Sequence, residues 1–279
     1  MRAAIATQPG SPDAPNEDWA GITVPGLAVV LDGLSAPDGT GTGCRHGTPW
    51  YVNQLGPRLL ALASDPARSL ADALAEAIRQ VASLHPGCDL THPGTPSATM
   101  VLLRAHDEGA DYLTLGDATL LLDTADGLQV ISDERVNQLA GKEREAANQV
   151  PTGSALKLRR RAQLTRALRR ARNRPGGYWV AAADPRAASQ ALTGTLPATS
   201  LRRAVLLSDG ASRLVDPFEL ATREELLALL DENGPDELLR QVRAAEAVDP
   251  EGRQWPRTKR TDDATAVYLD LSDAVPSSG

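Results

Sequence analysis

Acidic side chains stand at the ends of several strand-like segments of this sequence. Asp32, Asp117 and Asp209 each follow closely on an apolar run. The pair Asp262-Asp263 comes just before the last such run, and Glu17-Asp18 comes before the first. Carboxylates at strand ends can converge on one edge of a sheet, where they repel one another unless a cation neutralises them. Because hard oxygen ligands select Mg²⁺ or Mn²⁺, the pattern predicts two such ions, which could activate a water and hold a phosphoryl group.

Each of these positions also has a purely structural explanation. The Asp-Gly pairs at 32–33 and 209–210 are typical of turns, whatever else they do. A single one would therefore indicate nothing more than a turn. The five acidic positions in this order favour a metal site over five unrelated turns.

The apolar pattern predicts the elements that would position these residues. Period-two or short apolar runs predict strands at 26–31, 98–104, 112–115, 119–122, 128–131, 178–183, 204–208 and 264–271. Helical spacing predicts helices at 49–63, 69–84, 223–231 and 236–247, and a polar helical region at 134–174. Because only a short loop joins the first two helices, they should pack antiparallel. This order predicts one α+β domain over residues 1–279, with antiparallel sheets, a core from about 10 to 271 and a tail at 272–279.

Composition excludes several classes of protein. With 4 Trp, 4 Tyr and 1 Phe, the chain lacks the aromatic side chains of a stacking platform for single-stranded nucleic acid. Its net charge of −7 opposes binding to nucleic acid or to an anionic membrane. No apolar stretch is long enough for a membrane span or a signal peptide, and two cysteines cannot supply a disulfide framework. We therefore expect a cytoplasmic protein.

The segment from Lys157 to Arg174 holds nine basic residues and no acidic one. Three interpretations are open: a solvated helix face that covers the sheet, a surface that recruits phosphate, and a nucleic-acid surface. The acidic remainder of the chain disfavours the third.

Both cysteines and three of the histidines flank the first two predicted helices: Cys44, His46, His85, Cys88 and His92. If those helices are antiparallel, the start of the first meets the end of the second. A zinc site, a contact or disulfide between Cys44 and Cys88, and ordinary loop residues are the alternatives. The spacing matches no standard zinc finger.

Six segments, taken in order, resemble the successive motifs of the metal-dependent protein phosphatases of the PPM, or type 2C, family in its bacterial form. The similarity runs from about residue 10 to 271. The segments are Asn16-Glu17-Asp18, Val30-Leu31-Asp32-Gly33, Gly94-Thr95-Pro96-Ser97-Ala98-Thr99, Leu115-Gly116-Asp117-Ala118, Leu207-Ser208-Asp209-Gly210 and Thr261-Asp262-Asp263-Ala264-Thr265.

The resemblance implies a central antiparallel β-sandwich flanked by helices on both faces, in four layers α/β/β/α, with Mn²⁺ or Mg²⁺ bound at one end. Asp32 would bridge two metals, and the carbonyl of Gly33 would bind one of them. Asp209 and Asp262 would hold the other, and Asp32, Asp209 and Asp262 form the implied catalytic set. Glu17 and Asp18 would act at the second metal, and Asp117 would serve a third, weaker site.

The implied reaction is the hydrolysis of phosphoserine or phosphothreonine in a protein substrate by a water that two metals activate. Two alternatives remain from the sequence. One is a weak or inactive phosphatase-like module with a regulatory or binding role, and the other is a hydrolase of a small phosphate ester. The sequence leaves the oligomeric state open.

The sequence departs from the family pattern where the substrate phosphate should bind. The family usually has an arginine shortly before the Asn-Glu-Asp motif, but residues 10–15 contain none. The glycine-rich, histidine-containing segment usual after Asp-Gly is replaced by residues 34–39. Arg45 and His46 are the expected substitutes, because they follow this loop at the start of a helix, where an anion is favoured. The alternative is that both are exposed cap residues.

Overall fold

The computed structural model describes residues 1–23, 26–34, 41–197 and 200–272. The described strands are β1 (Arg2–Gln8), β2 (Trp19–Thr23), β3 (Leu27–Gly33), β4 (Ala98–His106), β5 (Gly109–Leu115), β6 (Thr119–Thr124), β7 (Gly127–Ile131), β8 (Leu192–Pro197), β9 (Leu201–Leu207) and β10 (Ala264–Asp270). The described α-helices are α1 (Gly47–Ala63), α2 (Leu70–Ser83), α3 (Gly141–Asn148), α4 (Ala155–Ala171), α5 (Asp209–Ser212), α6 (Arg223–Asn233) and α7 (Pro235–Val248), and a 3₁₀ turn spans Pro185–Gln190.

The strands form two five-stranded sheets. One has the order β1-β10-β9-β6-β7 and the other the order β2-β3-β4-β5-β8. All neighbouring strands in both sheets are antiparallel. The predicted α+β class with antiparallel sheets is therefore confirmed.

Alternation along the strands builds three layers of core. In β3, Val29 and Leu31 pack toward α1 and α2, whereas Ala28 and Val30 pack between the sheets. In β10, Ala266 and Tyr268 face α6 and α7, while Val267 faces the space between the sheets. Because side chains alternate with period two, one strand contributes to two cores. The result is the predicted order of helix, sheet, sheet and helix.

Helix α2 begins as its sequence predicts. The hydroxyl of Ser69 accepts a hydrogen bond from the backbone N–H of Asp72, 3.0 Å away, which satisfies one of the unpaired donors of the first turn. Both α1 and α2 pack on the same cluster of buried residues, and the start of α1 lies beside the end of α2. The antiparallel pairing of these helices is confirmed.

Three strands that the sequence analysis did not predict, β1, β2 and β8, are all at sheet edges. Their side chains are mostly half-buried or exposed, so they lack the apolar signal of the inner strands. The strand predicted at 178–183 is wrong: this segment makes only isolated bridges, at Tyr178 and Ala181. Tyr178 and Val180 pack against α4 instead, whereas Trp179 and Ala181 pack in the cluster that contains α1 and α2.

The predicted helical region at 134–174 contains α3 and α4, separated by a loop. None of the described helices is long and apolar enough to cross a membrane. The domain boundaries stay a prediction. Of the tail at 272–279, the structure describes Ser272 alone.

Candidate active site

Strand register brings the acidic residues to one edge of the sandwich. In the sheet that contains β3, Asp32 near the end of β3 pairs with Thr99 on β4. The next residue of β4, Met100, pairs with Leu115, the last residue of β5. In the sheet that contains β9, Leu207 at the end of β9 pairs with residues near the starts of β6 and β10. The segments that carry Asp117, Asp209 and Asp262 therefore begin or end at the same level as Asp32.

Two glycines allow the loops at this edge to approach closely. A Cβ at Gly210 would lie 1.9 Å from the carbonyl oxygen of Asp263, and one at Gly33 would lie 2.4 Å from that of Glu17. Both Asp-Gly pairs are therefore required by close backbone approach rather than by a turn with positive φ.

Hydrogen bonds fix the loops relative to one another. The backbone N–H of Asp209 donates to Oδ2 of Asp32 over 3.0 Å, which joins the two sheets at the site. The carboxylate of Asp263 accepts from the backbone N–H groups of Gly10 and Glu17, at 2.7 and 2.6 Å. Asp263 thus positions the segment that carries Glu17 and Asp18, a role that the sequence analysis did not assign to it.

The carboxylates at this edge disfavour one another's ionisation. Burial, together with Asp209 and Asp262, raises the pKa of Asp18 to about 8. Burial and the charge of Asp209 raise the pKa of Asp117 to about 7 and that of Asp32 well above its usual range. Such shifts mean that neutralising charge is missing from the protein itself.

Asp262 differs from the others because it has two cationic partners. Nη2 of Arg213 lies 2.9 Å from its Oδ2, and Nζ of Lys259 lies 2.6 Å from its Oδ1. Burial opposes ionisation, but Lys259 and Arg213 outweigh it and hold the pKa of Asp262 below its usual value. Arg213 also binds Glu246 over 2.6 Å, so this cation joins two buried acids.

The residues present fit divalent cations. Both carboxylate oxygens of Asp18 are buried and have no hydrogen-bond partner at standard geometry among the described residues. Orphaned buried carboxylate oxygens beside further carboxylates are the donor set of a hard cation. The residues that could hold such ions are Glu17, Asp18, Asp32, Asp117 and Asp209, with the carbonyl oxygen of Gly33. Asp262 could join them only by exchanging its contacts to Lys259 and Arg213.

A cleft of about 190 Å³ opens onto the carboxylates. Asp32, Asp117 and Asp209 line one side. One face of α4 and the residue that follows it line the other, through Arg161, Leu164, Thr165, Leu168, Arg169 and Arg172. This spacing of three and four residues is that of a single helical stripe. The basic segment that the sequence analysis noted thus lies over the acidic edge.

Both ends of α4 are anchored. Near its start, Nζ of Lys157 donates to the carbonyl oxygens of Ala147 and Val150, at 2.6 and 2.9 Å. After its end, Arg172 donates to the hydroxyl of Ser97 over 2.6 Å and to the carbonyl oxygen of Pro93 over 2.7 Å. The helix is therefore held across the cleft from both sides.

Arg45 and His46, the expected phosphate ligands, lie elsewhere. Both fall within the described range 41–197, and neither lines the cleft. Arg45 is exposed, and the ring of His46 stacks on Trp50 with 4.3 Å between centroids. Residues 35–40, which connect Asp32 to them, lie outside the described residues.

Four basic residues of the site were not predicted from the sequence. Two are Arg213 and Lys259, and the other two, Arg161 and Arg169, belong to the basic segment. The sequence pattern could have indicated Arg161 and Arg169, because their spacing puts them on the same helical stripe as Leu164 and Leu168. Lys259 stands three residues before Asp262 in the sequence, whereas Arg213 is 49 positions away and only the tertiary structure brings it to Asp262.

The chain belongs to the protein phosphatase 2C family, whose model matches residues 11–243. The resemblance drawn from the motifs is thereby confirmed. No curated protein sequence matches the chain.

Solved structures of bacterial phosphatases share the fold. The serine/threonine phosphatase Stp1 from Staphylococcus aureus is 14% identical, with a TM-score of 0.57 over 97% of this chain and 94% of that one. The serine/threonine phosphatase PstP/Ppp of Mycobacterium tuberculosis is 16% identical, with a TM-score of 0.55 over 96% and 97%. PppA of Pseudomonas aeruginosa, described as a key regulatory component of T6SS, is 19% identical, with a TM-score of 0.54 over 96% of each chain.

Arg213 should contribute strongly to stability. Its side chain is 7% exposed, and replacing it by Met would leave Glu246 and Asp262 buried without this partner. We expect Arg213→Met to lower the free energy of unfolding by about 3–5 kcal/mol in urea denaturation. The control is Arg240→Met, which removes an exposed pair to Glu237 and should leave the free energy of unfolding nearly unchanged. Equal effects of the two variants would contradict this assignment.

Proposed function

We propose that the protein is a Mn²⁺- or Mg²⁺-dependent phosphatase that hydrolyses phosphoserine or phosphothreonine in proteins. The observation that carries the proposal is the cleft itself, in which Asp32, Asp117 and Asp209 face a row of arginines on α4. A phosphate monoester dianion needs both surfaces: carboxylates to hold cations at the reacting phosphorus, and guanidinium groups to bind the remaining oxygens.

Paired divalent cations, when bound, would supply an activated water and neutralise charge on the phosphoryl group. We assign Asp32 to both cations; the N–H of Asp209 orients its Oδ2. Asp209 lines the cleft, and the buried Asp18 is assigned to the second metal. Asp117 would serve the third, weaker site.

We assign the phosphate contacts to Arg161 and Arg169 rather than to Arg45 and His46. Among the described residues that line the cleft, Arg144 and Arg172 already donate to backbone carbonyls. Arg161 and Arg169 make no hydrogen bond or ion pair with described residues, and their helix holds them opposite Asp32. They are therefore the groups available to bind an incoming anion.

The apolar part of the lining supports a phosphoprotein substrate over a free phosphate ester. The apolar lining of the cleft consists of Leu34, Val136, Leu164, Leu168 and Tyr178. These side chains offer contacts to the side chain and neighbouring residues of a peptide, which a small hydrophilic ester would not use.

A second candidate is a phosphatase-like module with a regulatory role and little turnover. The observation that favours it concerns Asp262, one of the implied metal ligands. Its two carboxylate oxygens already form ion pairs, one with Lys259 and the other with Arg213. The absence of an arginine from residues 10–15 points the same way.

Asp209→Asn separates these candidates. The change keeps the side-chain shape and the backbone bond to Asp32 but removes an anionic ligand. We expect a loss of at least about 100-fold in Mn²⁺-dependent turnover of p-nitrophenyl phosphate and of a phosphothreonine peptide, equivalent to about 2.7 kcal/mol of barrier. Without metal, the variant should unfold no more easily than the wild type, because a repelling charge has been removed.

Asp126→Asn is the matched control. Asp126 lies in the exposed turn between β6 and β7, so its replacement should leave turnover unchanged. A wild-type protein without Mn²⁺-dependent turnover would overturn the phosphatase proposal in favour of the regulatory module. Full activity in Asp209→Asn would show that the site is assigned wrongly.

The arginine assignment predicts a defect in substrate binding. The double variant Arg161→Ala/Arg169→Ala should raise KM for a phosphopeptide about tenfold or more, since charge-assisted contacts to phosphate contribute about 1.5–3 kcal/mol. Mn²⁺ affinity, measured by calorimetry, should not fall.

Arg166→Ala/Arg170→Ala serves as the control because it removes two exposed arginines from the same helix. This pair should leave KM within about twofold of the wild type. If Arg45→Ala or His46→Ala raised KM while the α4 variants did not, the phosphate contacts would belong to the residues that the sequence analysis chose.

A further inference from the structure

Both cysteines of the chain and two of its four histidines meet at one point away from the cleft. Cys44 and His46 lie in the loop before α1, and His85 and Cys88 lie in the loop after α2. One ligand atom from each residue, Sγ or a ring nitrogen, lies within 4.8 Å of all the others. For residues 44 positions apart, this convergence is produced by the antiparallel pairing of the two helices.

Four of the six distances between ligand atoms match those around a tetrahedral zinc ion. With Zn–S of about 2.3 Å and Zn–N of about 2.0–2.1 Å, two sulfurs lie about 3.8 Å apart, and a sulfur and a nitrogen about 3.5 Å apart. The two Sγ atoms are 3.8 Å apart. Sγ of Cys44 lies 3.6 Å from Nδ1 of His46 and 3.4 Å from Nδ1 of His85. Sγ of Cys88 lies 3.7 Å from Nδ1 of His46.

The surroundings hold these side chains in place. Trp50 stacks on the ring of His46 and meets the ring of His85 edge-on, with centroids 4.3 and 4.7 Å away. The backbone N–H of Asp89 donates to the carbonyl oxygen of Gly43 over 2.8 Å, which joins the two loops directly beside the cluster. His85 is buried, and the other three ligands are half-buried. The rings of Trp50 and the bond between the two loops therefore help to order the cluster.

We propose that Cys44, His46, His85 and Cys88 bind one Zn²⁺ as a closed, structural Cys₂His₂ site. Two thiolates and two imidazoles in tetrahedral positions are the ligand set and geometry that zinc prefers. The set leaves no position for substrate, and it contains no carboxylate, so it differs in kind from the metal site in the cleft.

A disulfide between Cys44 and Cys88 is the competing state. Its sulfurs would be about 2.0 Å apart, whereas here they are 3.8 Å apart. A disulfide would also leave unexplained why both histidines turn Nδ1 toward the sulfurs. His92, the remaining histidine of this region, instead accepts a hydrogen bond from the N–H of Gly94 over 2.9 Å.

The site would stabilise one wall of the cleft from a distance. The loop that follows Cys88 continues to Pro93 and Thr95, whose carbonyl oxygens accept from Arg172 at 2.7 and 3.1 Å. Zinc would fix this loop against the start of α1, and the loop in turn anchors the end of α4.

The test uses the untagged full-length protein, purified with reductant and without added zinc. Metal analysis by mass spectrometry should find about one zinc per chain. After chelation, added Co²⁺ should give the intense visible bands and sulfur charge-transfer absorption of a tetrahedral thiolate site, and Zn²⁺ should abolish them.

The variants locate the ion. The zinc content of Cys44→Ser/Cys88→Ser should be at least about tenfold lower than that of the wild type. His85→Asn should also lose the zinc. Asp32→Asn, in the cleft, and His106→Ala, an exposed histidine outside the cluster, should retain it. In an Asp32→Asn background, which weakens the cleft site, added zinc should raise the melting temperature of the chelated protein, but not when Cys44→Ser/Cys88→Ser is also present.

Because the wild-type protein supplies the deciding readout, a variant that fails to fold does not obscure the result. The proposal is overturned if reduced wild type neither contains zinc nor shows the cobalt–thiolate spectrum. It is equally overturned if Cys44→Ser/Cys88→Ser retains the zinc of the reduced wild type, since the ion then binds elsewhere.

Discussion

Carboxylates crowded at one edge of the sandwich repel one another, and the rest of the site is arranged around that repulsion. Burial and this repulsion raise the pKa of Asp18 to about 8, that of Asp117 to about 7 and that of Asp32 well above its usual range. Such an arrangement opposes folding unless cations relieve it. The sheets nevertheless impose it, because antiparallel register ends β3, β5 and β9 at the same level.

Two groups of basic side chains lie near these carboxylates, and they act in different ways. Arg213 and Lys259 bind Asp262 directly, so the protein itself satisfies one carboxylate. The arginines of α4 remain across the cleft, where a phosphate could lie between them and ions held by Asp32 and Asp209. The first group stabilises the protein without ligand. The second makes the cleft complementary to an anion only when cations occupy the carboxylates.

The sequence predicted the parts of this molecule whose signal is local. Inner strands such as β3 and β10 are buried on both faces and are recognisable as apolar runs, and the cap at Ser69 marks the start of α2. Edge strands such as β1 bury too few side chains to produce an apolar pattern in the sequence. The acidic residues could be chosen because their motifs stand in order. Arg213, the distant partner of Asp262, could not, because it is 49 positions away and no pattern connects the two. The choice of Arg45 and His46 assumed that nearness in sequence keeps residues near the metals, whereas His46 packs on Trp50 instead.

The central claim is that these carboxylates hold paired metals although Asp262 already has cationic partners. Crystals grown with Mn²⁺ test it most directly through anomalous scattering. The account predicts two manganese peaks about 3.5–4 Å apart, with Asp32 between them and Lys259 moved away from Asp262. A map without manganese at Asp32 and Asp209, in which Lys259 still lies 2.6 Å from Asp262, would contradict it.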